Sequence, residues 1–422
     1  MTLFLALPEV HALRTLTTDG RLLMLTRVVR LFAYGWLSVV LALYLAAVGL
    51  TEQAIGFMLT LTLVGDAGIS LWIATMADRL GRRRMLLVGA GLMVFGGVVC
   101  GLTSNLGLLA LAAFIGTLSP SGGEVGPFLS IEQAALPQTT SETYRTHVFA
   151  WYNLAGSCAA ALGAVSGGTL AQALQHAGST PLVSYRVMLL GYAGLGVVLG
   201  LLITRVSPAV EVPVGVTAPT TSVLGLHRSR RVVYKLAALF MLDSFAGGLV
   251  VQSLVAYWFH VRFGVDPAVL GSIFFGAYLF AGLSALAAAR CAAHFGLLNT
   301  MVFTHLPSNI FLILVPLMPN LPLAITVLLL RFSLSQMDVP TRQSYTMAVV
   351  DPDERSAAAG VTAAARTLAS ACAPLITGVF LSAALWSWPF LVSGGLKIVY
   401  DLTLYRSFRA VKPPEERLEA TP

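Results

Sequence analysis

An all-α membrane protein with about twelve transmembrane helices is the fold class that this sequence predicts. The chain of 422 residues is 57% hydrophobic, only 11% of its residues are charged, and its mean hydropathy is +0.81. Average globular chains are about 45–50% apolar and about 25% charged. The 19 acidic and 26 basic residues are therefore too few to cover a water-soluble fold of this length.

Apolar runs long enough to cross a bilayer recur along the whole chain. A hydrocarbon core of about 30 Å requires roughly 20 apolar residues in a helix. Only helices and closed barrels satisfy their backbone hydrogen bonds in lipid, and these runs are too long and too uniformly apolar for barrel strands. The predicted spans lie near residues 28–48, 54–77, 85–103, 107–135, 145–171, 185–204, 234–260, 267–290, 298–318, 322–349, 356–380 and 386–406.

Basic residues in the connectors predict the orientation. Fifteen Lys and Arg residues lie in one alternating set of connectors, and only Arg262 lies in the other set. Since cytoplasmic loops are enriched in Lys and Arg, we expect a multi-pass protein of the cell membrane with both termini in the cytoplasm. A net charge of +7 by itself would be compatible with nucleic-acid binding. The basic residues lie in short connectors rather than on one solvated face, however, so we expect no nucleic-acid partner.

The two halves of the chain repeat one another. The segment ADRLGRRRM (77–85) aligns with AAHFGLLNT (292–300), so that Gly81 matches Gly296. The segment GEVGPFLSIEQAAL (123–136) aligns with MDVPTRQSYTMAVV (337–350), and after these segments Arg145 matches Arg355. Such a repeat is typical of a duplicated bundle. The sequence therefore predicts a six-helix half at 1–204, a cytoplasmic linker at 205–233 and a second six-helix half at 234–422.

The turn between spans two and three, MADRLGRRRM (76–85), holds five charges. It resembles the signature G-x-L-a-D-R-x-G-R-R of the major facilitator superfamily, although Ala74 stands where the first glycine is usual. The residues that match the signature are Asp78, Arg79, Gly81, Arg82 and Arg83. The resemblance covers nearly the whole chain and implies a fold of two six-helix, pseudo-symmetric bundles and a monomer.

The resemblance also implies a conformational latch at this turn. Asp78 would pair with the cytoplasmic start of helix eleven, and the arginines would hold helix ends and lipid headgroups. An acid at a helix N-terminus is favoured by about 0.3–1 kcal/mol, which suits a contact that breaks once per cycle. The alternative interpretation is that the turn acts only as a topology signal.

A weaker resemblance lies in span five. GAVSGG (163–168) is similar to the G-P-x-x-G-G motif of the superfamily's proton-coupled drug antiporters, but Ala164 replaces the proline. Gly156, Ala160, Ala164 and Gly168 form a small-residue stripe, which close helix packing explains without antiport. Both interpretations stay open at this point.

Charged residues at membrane depth are costly, and they are the candidates for a substrate or proton pathway. The candidates are Asp66, Glu124, Asp243, Arg331, Asp338 and Arg366. Prolines and glycines around Glu124 are expected to break or bend helix four. The alternative is that these charges only pair structurally, as we expect for Lys397 and Asp401, which are four residues apart on helix twelve.

Helix ten carries the longest polar stripe. Its predicted face comprises Arg331, Ser335, Asp338, Arg342 and Tyr345, and the repeat places Thr117, Ser121 and Glu124 on the matching face of helix four. In the superfamily, helices one, four, seven and ten line a central cavity. The resemblance therefore implies that Glu124 and Asp338 face each other across that cavity.

A secondary transporter that moves a small molecule by alternating access is the leading interpretation. The substrate class is open between a drug-like compound and a small organic acid, and proton coupling is open as well. No G-x-x-x-x-G-K-[ST] motif and no clustered His, Cys or Ser–His pattern is present, so we expect no ATP drive, no enzymatic activity, no cofactor and no metal. The alternative function is a non-transporting membrane receptor or scaffold of the same fold.

Overall fold

The computed structural model of the protein describes residues 16–124, 126–139, 145–211, 228–351 and 354–410, and the regular structure within these ranges is helical. Before the linker the helices are α1 (Thr18–Ala47), α2 (Glu52–Leu80), α3 (Arg82–Leu102), α4 (Leu106–Ile115), α5 (Phe128–Ala135), α6 (Arg145–His176) and α7 (Pro181–Thr204). After it they are α8 (Arg230–Gly248), α9 (Gln252–Phe263), α10 (Pro267–Phe295), α11 (Leu297–Leu314), α12 (Leu321–Ser335), α13 (Asp338–Ala348), α14 (Arg355–Ser382) and α15 (Trp388–Phe408).

Each predicted span corresponds to one helix or to two consecutive helices. Spans four, seven and ten are each divided, into α4 and α5, α8 and α9, and α12 and α13. Within the described ranges, ten segments are long and apolar enough to cross a membrane by length and composition. The prediction of an all-α multi-pass membrane protein is confirmed.

Span four is broken where its prolines and glycines lie, as the sequence predicts. α4 ends at Ile115 and α5 begins at Phe128. Gly122 and Gly126 adopt positive φ angles of 65° and 80°, which favour glycine, and Pro127 immediately precedes α5. The intervening backbone is therefore free to carry Glu124 away from a helical register.

The polar stripe predicted along a continuous helix ten is wrong. α12 ends at Ser335 and α13 begins at Asp338, so Arg331 and Asp338 do not share one regular helix. Pro340 explains the break, because proline has no N–H to donate to the carbonyl oxygen of Gln336. Proline is tolerated in the first turn of a helix, so a new helix begins at Asp338. The matching stripe predicted for span four is also wrong. Thr117, Ser121 and Glu124 lie in the segment between α4 and α5, so they do not share a helical face.

The described residues group into two compact units. The first unit comprises the described residues within Met1–Leu50, Leu61–Ala218 and Gln252–Phe275, and the second comprises those within Thr51–Thr60, Pro219–Val251 and Gly276–Pro422. Each unit thus consists mainly of one predicted half together with one short segment of the other half. The boundaries predicted at 204 and 234 stay a prediction.

The first unit packs α1 directly against α6. A Cβ added at Gly35 would lie 2.0 Å from the carbonyl oxygen of Ala160, and one at Gly163 would lie 2.0 Å from that of Phe32. Helix backbones approach this closely only where side chains are absent or small. Close packing therefore accounts for Ala160 of the small-residue stripe and for Gly163 of the segment that resembles the antiporter motif.

Two matched pairs of residues support the predicted repeat. Gly81 and Gly296 have φ angles of 101° and 81°, and each directly precedes the first residue of a helix, α3 and α11. Arg145 and Arg355, which the sequence alignment also matches, are the first residues of α6 and α14. The two copies therefore begin corresponding helices at corresponding residues.

Candidate functional site

The first unit brings four charged side chains together, Arg27, Arg30, Glu124 and Glu132, which we call the first-unit cluster; Glu124 is partly buried and the other three are buried. α1 carries both arginines about one turn apart, α5 carries Glu132, and the non-helical segment before it carries Glu124. Arg30 is 0% exposed and Glu132 is 1% exposed. Two cations balance two carboxylates, and this balance makes their burial tolerable.

Arg30 links the cluster because it binds both carboxylates. Its two terminal nitrogens donate to the oxygens of Glu132 at 2.7 and 2.8 Å, which is a bidentate pair. Its Nε and one terminal nitrogen each lie 3.2 Å from an oxygen of Glu124. The planar fork of a guanidinium permits this double contact, and a lysine ammonium would not reproduce it.

Side chains from α6 complete the cluster. The Tyr152 hydroxyl donates to Glu132, and Arg27 donates to Glu124 and to Asn153 Oδ1, the latter at 3.3 Å. The Arg27 guanidinium also lies 3.9 Å above the centre of the Tyr152 ring. A buried ionic network with this many hydrogen bonds holds its members in one arrangement.

Asp66 lies on α2 in the same unit but outside the cluster. Its half-buried carboxylate accepts hydrogen bonds from the Gly126 backbone N–H and from the Ser70 hydroxyl, the latter at 3.1 Å. Among the described residues, no Lys, Arg or His side chain lies within 4.0 Å of this carboxylate. Asp66 can therefore gain or lose a proton without leaving a buried cation unpaired.

The second unit contains a larger charged network, which we call the second-unit cluster. Its members are Asp243, His305, Asp338, Arg342, Lys397 and Asp401. Asp243 on α8 accepts from Lys397 Nζ at 2.5 Å and from Arg342 at 3.3 Å. Arg342 also donates to Asp338, four residues earlier on α13, at 2.8 Å. The sequence candidates Asp243 and Asp338 are thus joined through one arginine.

Lys397 and Asp401 do not form the ion pair that their spacing predicts. Lys397 binds Asp243 instead, while Asp401 lies 2.9 Å from His305 Nδ1 and accepts from Asn309 Nδ2 at 2.9 Å. The prediction is wrong because α15 turns both side chains inward, where Lys397 is 6% and Asp401 is 0% exposed. Partners on facing helices replace the neighbour on the same helix.

Arg331 on α12 and Arg366 on α14 belong to the second unit but not to its cluster. Within the described part of the chain, neither guanidinium has a carboxylate oxygen within 4.0 Å. Arg366 Nε donates to the Ser244 hydroxyl at 3.0 Å, and Arg331 Nε is buried with no hydrogen-bond partner among the described residues. The sequence candidates therefore divide into carboxylates paired with a basic side chain, Asp66 with its neutral donors, and two arginines without a carboxylate partner.

The signature turn binds the end of α7 within the first unit. Arg83 donates to the Thr204 carbonyl at 2.6 Å, and an Arg82 terminal nitrogen lies 3.3 Å from the Val210 carbonyl. The carboxylate of Glu211 in turn accepts from the backbone N–H groups of Arg82 and Arg83, at 2.6 and 3.1 Å, which is the contact that a helix N-terminus favours. The side chains of Asp78 and Arg79 lie outside the described residues.

The candidates chosen from the sequence did not include Glu132, Arg27, Arg30 or His305. Glu132 lies within the predicted span 107–135, so its depth alone was a usable signal. Of the described residues, no group of three or more His, Cys, Asp and Glu side chains could hold a metal ion.

Comparisons with known proteins agree on one family. A family model described as Major Facilitator Superfamily matches residues 23–333 and 236–422. An uncharacterized membrane protein of Saccharomyces cerevisiae is 31% identical over 435 residues, covering 96% of this chain and 97% of that protein.

Solved structures resemble this one in fold. A nucleoside transporter has a TM-score of 0.71 at 13% identity, covering 93% of this chain and 100% of its own. A D-xylose–proton symporter has a TM-score of 0.72 at 15% identity, covering 92% and 97%. A bacterial homologue of the iron transporter ferroportin has a TM-score of 0.74 at 12% identity, covering 92% and 98%.

Proposed function

Because the chain belongs to the major facilitator superfamily, we propose that it is a secondary transporter that moves a small molecule across the membrane by alternating access. The observation that carries the proposal is a buried ionic network inside each of the two units. Buried charges in a membrane protein are expensive and mark substrate and ion pathways. The alternative is a receptor or scaffold, in which the two networks would only hold helices together.

Protons are the proposed coupling ions, and Asp66 is the proposed proton-binding residue. Every carboxylate of the two clusters has an Arg, Lys or His nitrogen within 4.0 Å, so its protonation would leave that cation less compensated. Among the described residues, Asp66 receives hydrogen bonds only from neutral groups, Gly126 N–H and the Ser70 hydroxyl. This difference favours Asp66 over Glu124 and Asp338 as the coupling site.

In this proposal, the acidic residues of the transport pathway are Glu124 of the first-unit cluster and Asp243 and Asp338 of the second-unit cluster. The turn at Asp78, Arg79 and Gly81 would act as the latch between conformations. The proposed location is the cell membrane with both termini in the cytoplasm, which the basic connectors favour.

Transport in proteoliposomes tests the proposal. Purified protein is reconstituted and offered a panel of labelled organic acids, sugars, nucleosides and drug-like cations, with and without an imposed pH gradient. We expect the gradient to drive accumulation of one class by wild-type protein. Asp66→Asn should lose this accumulation and keep exchange at equal concentrations, because exchange requires no net proton movement.

The matched control is Asp266→Asn, which changes an exposed acid between α9 and α10. It should accumulate the compound as wild type does. If Asp66→Asn accumulates the compound as fully as wild type does, Asp66 is not the residue that couples transport to protons. A wild-type protein that binds a panel compound but moves it in neither direction would favour the receptor interpretation instead.

A further inference from the structure

Among the described residues of the second unit that lie at membrane depth, Lys and Arg side chains outnumber carboxylates. Asp243, Asp338 and Asp401 each already contact a basic side chain of the second-unit cluster. Arg331 and Arg366 are additional, and among the described residues neither has a carboxylate within 4.0 Å. An arginine cannot shed its proton in a protein, so both charges persist whatever the pH.

Arg331 lies near the middle of a membrane-spanning segment and is half-buried. It lies in α12, which runs from Leu321 to Ser335 before the break in span ten. Its guanidinium carbon lies 4.9 Å from the centre of the Phe332 ring, and its Nε atom is buried without a hydrogen-bond partner in the described part of the chain. A ring face attracts a cation but does not satisfy its N–H groups.

Arg366 lies on α14 and is held by a neutral group. Its Nε donates to the Ser244 hydroxyl at 3.0 Å, which orients the guanidinium without cancelling its charge. Ser244 directly follows Asp243 of the second-unit cluster on α8. The Arg331 carbonyl accepts a hydrogen bond at 3.3 Å from Ser308, which lies between two residues of α11 that bind the second-unit cluster. Both unpaired arginines therefore lie on segments that contact this cluster.

We propose that Arg331 and Arg366 bind an oxyanion group of the transported molecule, a carboxylate or a phosphate. Resting on the proposed function, this inference names the substrate class: a small organic anion. A guanidinium fork binds a planar or tetrahedral oxyanion through two parallel hydrogen bonds. The anion supplies the negative charge that the second unit lacks and a partner for the orphaned N–H of Arg331.

Paired ligands that differ only in charge test this inference by binding alone. The purified protein is heated in detergent with succinate or succinamide, with benzoate or benzamide, and with inorganic phosphate, and its melting temperature is recorded. We expect at least one of the anions to raise the melting temperature and its uncharged amide to leave it unchanged. Phosphate in the panel distinguishes a phosphate site from a carboxylate site.

Three substitutions locate the site. Loss of a charge-assisted hydrogen-bonded pair should weaken binding of the stabilising anion about ten- to hundredfold in Arg331→Gln and in Arg366→Gln. Arg331→Lys should also weaken it, because the charge stays but the fork is lost. The matched control is Arg290→Gln, an exposed arginine of the same unit, which should bind as wild type does.

The outcomes separate this inference from the proposed function. An anion that binds through both arginines but is not moved in proteoliposomes would leave the anion site standing and overturn the transporter. If the protein moves only neutral or cationic compounds, the transporter proposal stands and the anion site is overturned. The anion site is also wrong if no anion stabilises the protein more than its amide does, or if both glutamine variants bind the anion as wild type does.

Discussion

Removing Glu132 should destabilise the protein more than removing Glu132 and Arg30 together. In Glu132→Gln, the fully buried Arg30 loses a bidentate partner at 2.7 and 2.8 Å and keeps only Glu124, at 3.2 Å. Breaking a buried ion pair from one side costs about 3–5 kcal/mol, and the remaining contact to Glu124 places this case near about 3 kcal/mol. For a unit of this size that corresponds to a melting temperature lower by about 6–12 °C.

The double variant Arg30→Met/Glu132→Gln should recover most of this loss. It removes one cation and one carboxylate, so that Arg27 and Glu124 still balance each other. The glutamine oxygen can still accept from Thr26, whose hydroxyl lies 3.0 Å from Glu132 in the native cluster. Arg30→Met alone should be destabilised by about 3 kcal/mol, because the carboxylate of Glu132 then stays buried without its cation.

The measurement is thermal unfolding in detergent, followed by tryptophan fluorescence, of the wild type, the two single variants and the double variant. Together these four proteins form a double-mutant cycle. The control is Asp351→Asn, which removes an exposed contact at 3.7 Å to Arg228 and should change the melting temperature little. If the double variant loses as much stability as the two single variants added together, Arg30 and Glu132 act independently and the buried pair is not the reason for their burial.

Two further predictions concern helix packing and the signature turn. Gly35→Ala should destabilise the first unit by about 1–3 kcal/mol, because its Cβ would lie 2.0 Å from the Ala160 carbonyl oxygen, whereas Gly194→Ala, with nothing within 4 Å, should melt at or above the wild-type temperature. Asp78→Asn should reach the membrane but transport slowly, and distances between spin labels on the two units should shift toward one conformation; wild-type transport with unchanged distances would reduce the turn to a topology signal.

Hydropathy predicted most of the fold because a bilayer permits few alternatives. Each spanning segment must satisfy its own backbone, so a run of about 20 apolar residues is a helix almost by necessity. The break in span four was also predictable, since Pro120, Pro127 and the neighbouring glycines are visible in the sequence. The break in span ten was missed, although Pro340 offered the same signal, because the spacing of polar residues suggested one unbroken face.

Spacing along one helix was an incomplete guide to the partners of charged residues, since it holds for Asp338 and Arg342 but not elsewhere. Lys397 and Asp401 have the spacing of an ion pair, yet each binds a residue on another helix. The bond between Arg30 and Glu132 joins residues 102 positions apart, and that between Asp243 and Lys397 spans 154. No periodicity relates such residues, because the distance between them depends on how the helices pack.

The sequence by itself determined that the chain is a multi-spanning helical membrane protein built from a repeated half, because apolar length and internal similarity are properties of the chain alone. Only the tertiary structure decided which charges are neutralised. Glu124 and Asp338 contact arginines, Asp66 contacts neutral donors, and Arg331 and Arg366 contact no carboxylate of the described residues. The physical reason is that the charge of a residue is fixed by its chemistry, whereas its compensation depends on the side chains that neighbouring helices bring within a few ångströms.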